Sequence, residues 1–268
     1  MSKINHTIHE IHCMDSLSAR DQWMNRVHPL VKFILTIVYI SVLVSFDQYD
    51  VAGIAGMMVY PIAGFLLADL SFRKCISRLR AVLPLVCFVG ILNPIFDENF
   101  FWLGEMRINA GLLSMTALIL KGLFSVFASY LLIATTSIDK ICYALRLLHV
   151  PKPVVTQVML TYRYITVLLK ETDSLVQAYM LRAPRQKGIH FRVWGSLAGQ
   201  LLIRSIDSAD NVYKSMLLRG YRGEFTYLEE RISCRRSDIG YFLFWVAVIL
   251  LLRRYPVILM AGNIFGGL

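Results

Sequence analysis

The sequence predicts an all-α, polytopic membrane protein with about five transmembrane helices and two long amphipathic helices in the cytoplasm. Of its 268 residues, 56% are hydrophobic and only 17% are charged, which is typical of a membrane protein. Apolar runs alternate with short charged loops over most of the chain. One long stretch instead repeats its apolar residues with helical period, which indicates amphipathic helices.

Five apolar segments have the composition of membrane spans. They are residues 30–46, 51–70, 81–96, 110–134 and 238–252. Lys32 lies near the start of the first, where its long stem lets the charge snorkel to the interface. The third contains Pro84 and Pro94 and should be kinked or broken. Lys121 lies near the middle of the fourth, and because a lysine at that depth costs about 3 kcal/mol in lipid, it should face protein or water.

Charged loops set the predicted orientation. Lysine and arginine gather in residues 71–80 and 135–153, whereas the loop 97–109 is mainly acidic. Because basic loops stay in the cytoplasm, the N-terminus and the amphipathic helices belong on that side. The same clustering accounts for the net charge of +10 without nucleic acid as a partner.

A single membrane domain, 1–268, is the simplest organisation. Its parts are a cytoplasmic N-terminal segment (1–29), four spans with their loops (30–153), the amphipathic region (154–237) and a last span with its tail (238–268). In the tail 253–268, Arg253 and Arg254 lie at the predicted outer face, against the charge rule, and the apolar residues after them are too few to span.

The amphipathic region carries too many charges for further spans, but its apolar residues form two helical stripes. The first contains Val155, Val158, Met159, Tyr162, Ile165, Thr166, Leu169, Val176 and Met180, and the second contains Trp194, Leu197, Leu201, Leu202, Ala209, Val212, Met216 and Leu217. Such a stripe either faces an ordinary core or binds a partner, and the pattern leaves both open.

Each amphipathic helix ends in a short arginine motif. Leu181-Arg182-Ala183 precedes Pro184, which cannot continue a helix, and Leu218-Arg219-Gly220 ends in a residue suited to a left-handed cap. One reading is a cation beside the helix dipole, worth about 0.3 to 1 kcal/mol. The other is a protruding tip that inserts a guanidinium into a partner, and two such ends on consecutive helices favour it.

These motifs resemble those of a known family, the transmembrane T components of energy-coupling-factor (ECF) transporters, most closely its CbiQ branch for cobalt or nickel. In that family two cytoplasmic coupling helices each end in an Ala-Arg-Gly-like motif that docks in a groove on an ATPase subunit. Segments 15–20 and 28–32 also resemble the family's approach to its first span. Leu181, Ala183 and Leu218 depart from the family pattern, so the first motif matches less closely than the second.

The resemblance implies an energy-coupling membrane subunit of an importer in a prokaryotic plasma membrane. Its partners would be two ABC-type ATPase subunits, the lipid bilayer and a CbiM-like substrate-binding membrane S component, with or without a small CbiN-like subunit. The cargo would be cobalt or nickel ions, with a vitamin as the alternative. The ATPase-docking residues would be Leu181, Arg182, Ala183, Leu218, Arg219 and Gly220.

The sequence contains no Gly-x-x-x-x-Gly-Lys-[Ser/Thr] motif, and the dipeptide Gly-Lys is absent. The chain is therefore not expected to be an ATPase or another enzyme, and partner ATPases would bind ATP and magnesium. The alternatives are a permease that works alone and an integral-membrane transferase for a lipid or isoprenoid substrate. Asp47 and Asp50 would be the catalytic pair of such a transferase, although a solvated turn is the more usual role of two acids in a short loop.

His6, His9 and His12 form the one metal-like cluster, and on a helix they would share roughly a third of the circumference. A frayed polar terminus is the favoured interpretation, and in the resembling family a separate subunit holds the metal. The five cysteines are widely separated and contain no Cys-x-x-Cys pair. They are interpreted as small buried hydrophobes or idle thiols.

Overall fold

The computed structural model describes residues 8–9, 11, 13, 16, 23–70, 75, 84, 86–90, 100–103, 106–183, 188–223 and 235–254. The chain forms two compact units. The bundle unit comprises residues 18–137 and 232–268, and the arm unit comprises residues 1–17 and 138–231. That the whole chain acts as one membrane domain stays a prediction.

The described part of the bundle unit is helical apart from one hairpin. Its helices are α1 (Trp23–Arg26), α2 (Pro29–Val44), α3 (Val51–Gly56), α4 (Val59–Leu67), α5 (Ala110–Thr135) and α9 (Arg236–Arg254). Among the described residues, Gly111–Thr135 is the one helix long and apolar enough to cross a membrane, whereas Pro29–Val44 and Val51–Leu67 are shorter apolar helices. At 1.5 Å per residue, the 26 residues of α5 measure roughly 39 Å, more than the hydrocarbon layer of about 30 Å.

The packed helices of the bundle unit have the relative directions that the predicted succession of spans requires. Lys32, near the start of α2, contacts Thr135 at the end of α5, so these two helices run antiparallel. Arg253, near the end of α9, donates to Ser45 at the end of α2, so α9 and α2 run parallel. The first and last predicted spans therefore point the same way, and the fourth points the opposite way.

Helix α2 lies at the centre of this packing. Its Leu35, Tyr39 and Leu43 follow one another at intervals of four residues, and all three are fully buried. They pack in one apolar core with residues of α5 and α9, such as Phe124 and Trp245. The helical period of the first apolar segment therefore translates directly into the buried face of the bundle.

The second predicted span is divided into α3 and α4 at Met57 and Met58, a break that the continuous apolar run did not predict. Pro61 supplies the physical reason, because it has no N–H to donate to the carbonyl four residues earlier. That carbonyl belongs to Met57, and it accepts a hydrogen bond from the hydroxyl of Tyr39 at 2.9 Å instead. The sequence contains the cause of the break, Pro61, whereas only the structure shows that the Tyr39 hydroxyl bonds to the freed carbonyl.

The predicted acidic loop 97–109 contains an antiparallel hairpin. Strand β1 (Phe100–Leu103) pairs with β2 (Met106–Asn109), with Phe100 opposite Asn109 and Leu103 opposite Met106. The loop prediction is therefore incomplete. Gly104-Glu105 in the sequence is a two-residue link with glycine first, a pattern that favours a hairpin.

Of the third predicted span, Pro84 and residues 86–90 are described, and they are helical. This segment packs closely on α5, because a Cβ added at Gly122 would lie 3.2 Å from Val86 Cγ1. Other parts of the bundle unit lie outside the described residues, among them Pro94, the basic loop 71–80 apart from Cys75, and the tail from residue 255 onwards. The predicted kink of this span stays a prediction.

The arm unit contains three described helices, α6 (Ile138–Leu147), α7 (Lys152–Arg182) and α8 (Phe191–Leu218). Helix α6 packs on α7, and α7 packs on α8. The two predicted amphipathic helices are thus present as α7 and α8, with 31 and 28 residues.

Candidate partner-docking site

Helices α7 and α8 pack against each other in opposite directions. Arg204 in the middle of α8 forms an ion pair with Glu171 of α7. Met216, near the end of α8, lies across a shared cleft from Leu160, near the start of α7. Because higher numbers on one helix face lower numbers on the other, the pair is antiparallel.

The antiparallel arrangement separates the two arginine motifs. Arg182 is the last residue of α7, and Arg219 caps α8 beside the start of α7 at Leu160. Arg182 lies 22 positions after Leu160, which corresponds to roughly 33 Å of helix at 1.5 Å per residue. The structure therefore does not bring the two predicted docking motifs together, but presents them at opposite ends of the helix pair.

The tip of α8 is a fully formed Schellman cap. The N–H of Tyr221 donates to the carbonyl of Met216 at 3.0 Å, and the N–H of Gly220 donates to the carbonyl of Leu217 at 2.9 Å. Gly220 has a φ of +83°, a left-handed conformation that glycine adopts without strain. The predicted cap is confirmed, and it fixes the backbone from which Arg219 extends.

The tip of α7 ends differently. The helix stops at Arg182, and the N–H of Ala183 donates to the carbonyl of Tyr179 at 3.0 Å. Ala183 has a φ of −128°, which alanine adopts freely. Because φ at Ala183 is negative, the first motif does not need a glycine at the position that Gly220 occupies in the second motif. Pro184 lies outside the described residues.

Neither motif leucine is covered by the rest of the described chain. Leu181 is 82% exposed and Leu218 is 90% exposed within the described structure. Fully burying such a side chain in a partner is worth about 1.5 to 3 kcal/mol. Each helix end therefore presents a large exposed apolar side chain next to an arginine.

Within the arm unit, α8 leaves many large apolar side chains uncovered by α7. The side of α8 that faces α7 presents polar groups such as Ser208, Asn211 and Ser215. No residue of α8 is buried. Its exposed large apolar side chains are Phe191, Trp194, Leu202, Ile203, Ile206, Tyr213, Leu217 and Leu218.

A cleft of about 630 Å³ lies between α7 and the tip of α8. Its lining residues are Leu160, Arg163, Tyr164, Ser208, Asn211, Val212, Ser215, Met216, Arg219, Gly220 and Tyr221. Of these, the docking prediction named only Arg219 and Gly220. It missed Arg163, because that residue lies off the apolar stripe of its own helix and shares the cleft with Arg219 only through the packing of α7 on α8.

Asp47 and Asp50, the alternative catalytic pair, are both bonded by nearby backbone amides. A side-chain oxygen of Asp50 accepts from the N–H of Gly53 at 2.8 Å and caps α3, and one of Asp47 accepts from the N–H of Gln48 at 3.1 Å. These are the ordinary roles of aspartate in a turn and at a helix start.

The two lysines of the predicted spans both bond to helix ends. Lys121 donates to the carbonyls of Phe46 and Val44 at 2.6 and 3.2 Å, so the prediction that it faces protein is confirmed. Lys32 is only 4% exposed and donates to the carbonyl of Thr135 at 3.0 Å. The snorkelling prediction for Lys32 is therefore wrong, because the last turn of α5 offers an unpaired carbonyl inside the protein.

Of the predicted histidine cluster, His9 is described and exposed, whereas His6 and His12 lie outside the described residues. The described cysteines are free thiols, with Cys75 and Cys142 buried, Cys87 half-buried and Cys13 exposed. Burial and the nearby Asp139 carboxylate raise the pKa of the Cys142 thiol. The buried-hydrophobe interpretation is therefore confirmed for Cys75 and Cys142.

The family follows from sequence similarity. The family model for CbiQ, described as a cobalt transport protein, matches residues 20–228. The chain belongs to the CbiQ family. The match covers both arginine tips, whereas α9 lies beyond it.

Named relatives agree with this membership. The chain is 26% identical to the energy-coupling factor transporter transmembrane protein EcfT of Thermosediminibacter oceani, over 82% of this chain and 88% of the relative. It is 24% identical to the cobalt transport protein CbiQ of Salmonella typhimurium, over 79% and 98%. An uncharacterized protein of Methanocaldococcus jannaschii is 29% identical, over 69% and 67%.

The resemblance to ECF T components is thus confirmed, and the CbiQ-family chain is a helical membrane component of a transporter rather than an enzyme. Membership implies ATPase and substrate-binding subunits as partners and a location in the cell membrane.

Proposed function

We propose that the chain is the energy-coupling membrane subunit of an ECF-type importer for cobalt or nickel ions. The observation that carries the proposal is the pair of helix tips, each with a nearly fully exposed leucine beside an arginine. A tip that served only to neutralise a helix dipole would need the arginine but not the exposed leucine.

Each tip would dock on a different ATPase subunit. The tips lie at opposite ends of the α7–α8 pair, roughly 33 Å apart along α7, which is farther than one groove for one helix end would reach. Closure of the two ATPases on ATP would then move Arg182 and Arg219 relative to each other. The guanidinium suits this contact because it stays charged and forms forked bonds with carboxylates.

Movement of the two helices would reorient a substrate-binding subunit. The apolar side chains that α8 leaves exposed, including Trp194, Leu202 and Ile206, offer a surface for a hydrophobic partner. We assign this surface to the S component, CbiM-like and with or without a CbiN-like subunit. Metal binding is assigned to that subunit and not to the histidines of this chain.

The membrane topology is proposed as five spans with a cytoplasmic N-terminus, supported by the antiparallel α2 and α5 and by the parallel α9. In a chain without native cysteines, Lys214→Cys in α8 should be shielded from a membrane-impermeant maleimide in intact cells and should react after permeabilisation. Asn99→Cys should react in intact cells. The reverse pattern would invert the orientation.

The docking role is tested on the full-length chain co-expressed with its ATPase and substrate-binding subunits. Arg219→Ala should weaken recovery of the ATPases and lower ATP-dependent uptake of cobalt, with Arg182→Ala acting in the same direction and the double variant abolishing uptake. Truncating one partner of a buried charge pair costs about 2 to 5 kcal/mol, so the loss should exceed tenfold. Arg→Lys should not fully restore binding.

Lys214→Ala is a matched control, because it removes one charge from α8 at a residue already paired with Asp210. Uptake at the wild-type rate by both tip variants would leave the arginines as dipole partners only. Uptake in liposomes by the chain alone would instead support an independent permease. Uptake of a vitamin rather than of cobalt or nickel would keep the coupling role and change the cargo.

A further inference from the structure

The cleft at the tip of α8 is unusual in its charge. Arg163 lies on the α7 side and Arg219 on the α8 side, and none of the described residues that line the cleft is acidic. Neither guanidinium has an ion-pair or side-chain hydrogen-bond partner among the described residues. Two arginines that face one cavity without a counter-ion repel each other, and an anion between them would remove that repulsion.

The neighbouring cleft on the same helix pair shows the contrast. It has a volume of about 360 Å³ and is lined by Glu171, Asp207 and Arg204, so positive and negative groups occur together. There Arg204 is already paired with Glu171. Among the described lining residues of these two clefts, the arginines without an acidic partner are therefore those beside the proposed docking tip, Arg163 and Arg219.

The rest of the lining indicates what kind of anion fits. Leu160, Val212 and Met216 give the cleft an apolar portion, while Ser208, Asn211 and Ser215 supply hydroxyl and amide groups. A single phosphate would leave most of 630 Å³ unfilled and the apolar portion uncovered. A peptide segment with one carboxylate and one apolar side chain matches both the charge and the surface.

We propose that this cleft receives an acidic segment of the ATPase subunit, whose carboxylate is held between Arg163 and Arg219. Docking at this end is then reciprocal, because the tip inserts Leu218 into the ATPase while the cleft behind it accepts a side chain in return. Arg163 becomes a second docking residue, on the other helix. The inference rests on the proposed function and adds a residue and a partner chemistry to it.

The test measures affinity between the full-length chain, in nanodiscs of phosphatidylcholine, and the purified ATPase subunits. Arg163→Ala should weaken binding about 10- to 100-fold, as expected for loss of a hydrogen bond to a charged group. Arg163→Glu should weaken it further, and Arg163→Lys should retain part of the affinity. Combining Arg163→Ala with Arg219→Ala should cost less than the product of the single losses, because both arginines hold one carboxylate.

Lys214→Ala should leave the affinity unchanged, and circular dichroism should show that every variant retains its helices. If Arg219→Ala weakens binding and Arg163→Ala does not, the cleft inference is overturned and the docking role of the tip stands. If neither variant weakens binding, the cleft inference and the docking role of the α8 tip are both overturned. If Arg163→Ala acts only in nanodiscs that also contain phosphatidylglycerol, the cleft holds a lipid phosphate and the ATPase assignment is overturned.

Discussion

The side-chain nitrogen of Lys121 lies 2.6 Å from the carbonyl oxygen of Phe46, just beyond the end of α2. Helix α2 has 16 residues and measures roughly 24 Å, which is less than the hydrocarbon thickness of about 30 Å. Its last carbonyls would be unpaired in lipid, where each costs several kcal/mol. Lys121 of the antiparallel α5 donates to the carbonyl of Val44, the last residue of α2, as well as to that of Phe46, and Lys32 of α2 donates to the last carbonyl of α5 in the same way.

Lys121→Met should destabilise the bundle unit. The methionine keeps most of the side-chain volume but removes both bonds to carbonyls, a loss of about 1.5 to 3 kcal/mol for hydrogen bonds to a charged group. The melting temperature of the purified chain in detergent should fall by several degrees. Lys170→Met, at an exposed position of α7, is the control and should change it little. Equal melting temperatures for both variants would contradict a stabilising role for the bonds from Lys121 to the carbonyls at the end of α2.

Asp50→Ala should remove the cap of α3 and destabilise the chain by about 0.5 to 2 kcal/mol. Asp50→Asn keeps an oxygen that can accept the N–H of Gly53, so it should retain stability and cobalt uptake. The melting temperature reports the role of Asp50 as a helix cap, and uptake reports whether its carboxylate has a further role. Loss of uptake in a stable Asp50→Asn protein would show that the carboxylate charge itself is needed.

Gly220→Ala should disturb the tip of α8 without unfolding the protein. A Cβ there would meet no atom within 4 Å, but the φ of +83° costs a non-glycine residue about 1 kcal/mol. Hydrogen exchange should therefore accelerate in residues 216–223, and ATPase affinity should fall. Gly199→Ala is the matched control, since it lies within α8 with equal space and should slow exchange by stabilising the helix. Unchanged exchange at the tip of Gly220→Ala would argue against the cap.

The thiol of Cys142 should react with iodoacetamide only at higher pH in the folded chain than in denaturant. Burial and Asp139 raise the pKa of Cys142 in the folded chain, so its reactive thiolate forms later as the pH rises. Mass spectrometry of the Cys142 peptide across a pH series gives the midpoint of the reaction in each state. Equal midpoints in the folded chain and in denaturant would assign the pKa to local sequence instead of burial.

Local sequence determined most of the helices and their ends. The helical period of the apolar residues in 154–237 predicts α7 and α8, and Gly220 predicts the left-handed cap of α8. Such features depend on neighbours within one or two turns, so the chain order already contains them. The division of the second span was also encoded locally, in Pro61. The continuous apolar run predicted a single helix, and the effect of the proline on helix hydrogen bonding proved stronger.

Only tertiary structure decided which distant groups meet. Arg163 and Arg219 are 56 residues apart, and no periodicity within either helix indicates that they share a cleft. Lys32 looked like a residue for the membrane interface, but the end of α5 provides a carbonyl at 3.0 Å inside the protein. A sequence records the hydrogen-bonding capacity and charge of each side chain. The partner depends on how helices cross in space, because burial makes an unpaired polar group costly and the packing determines which groups are within reach.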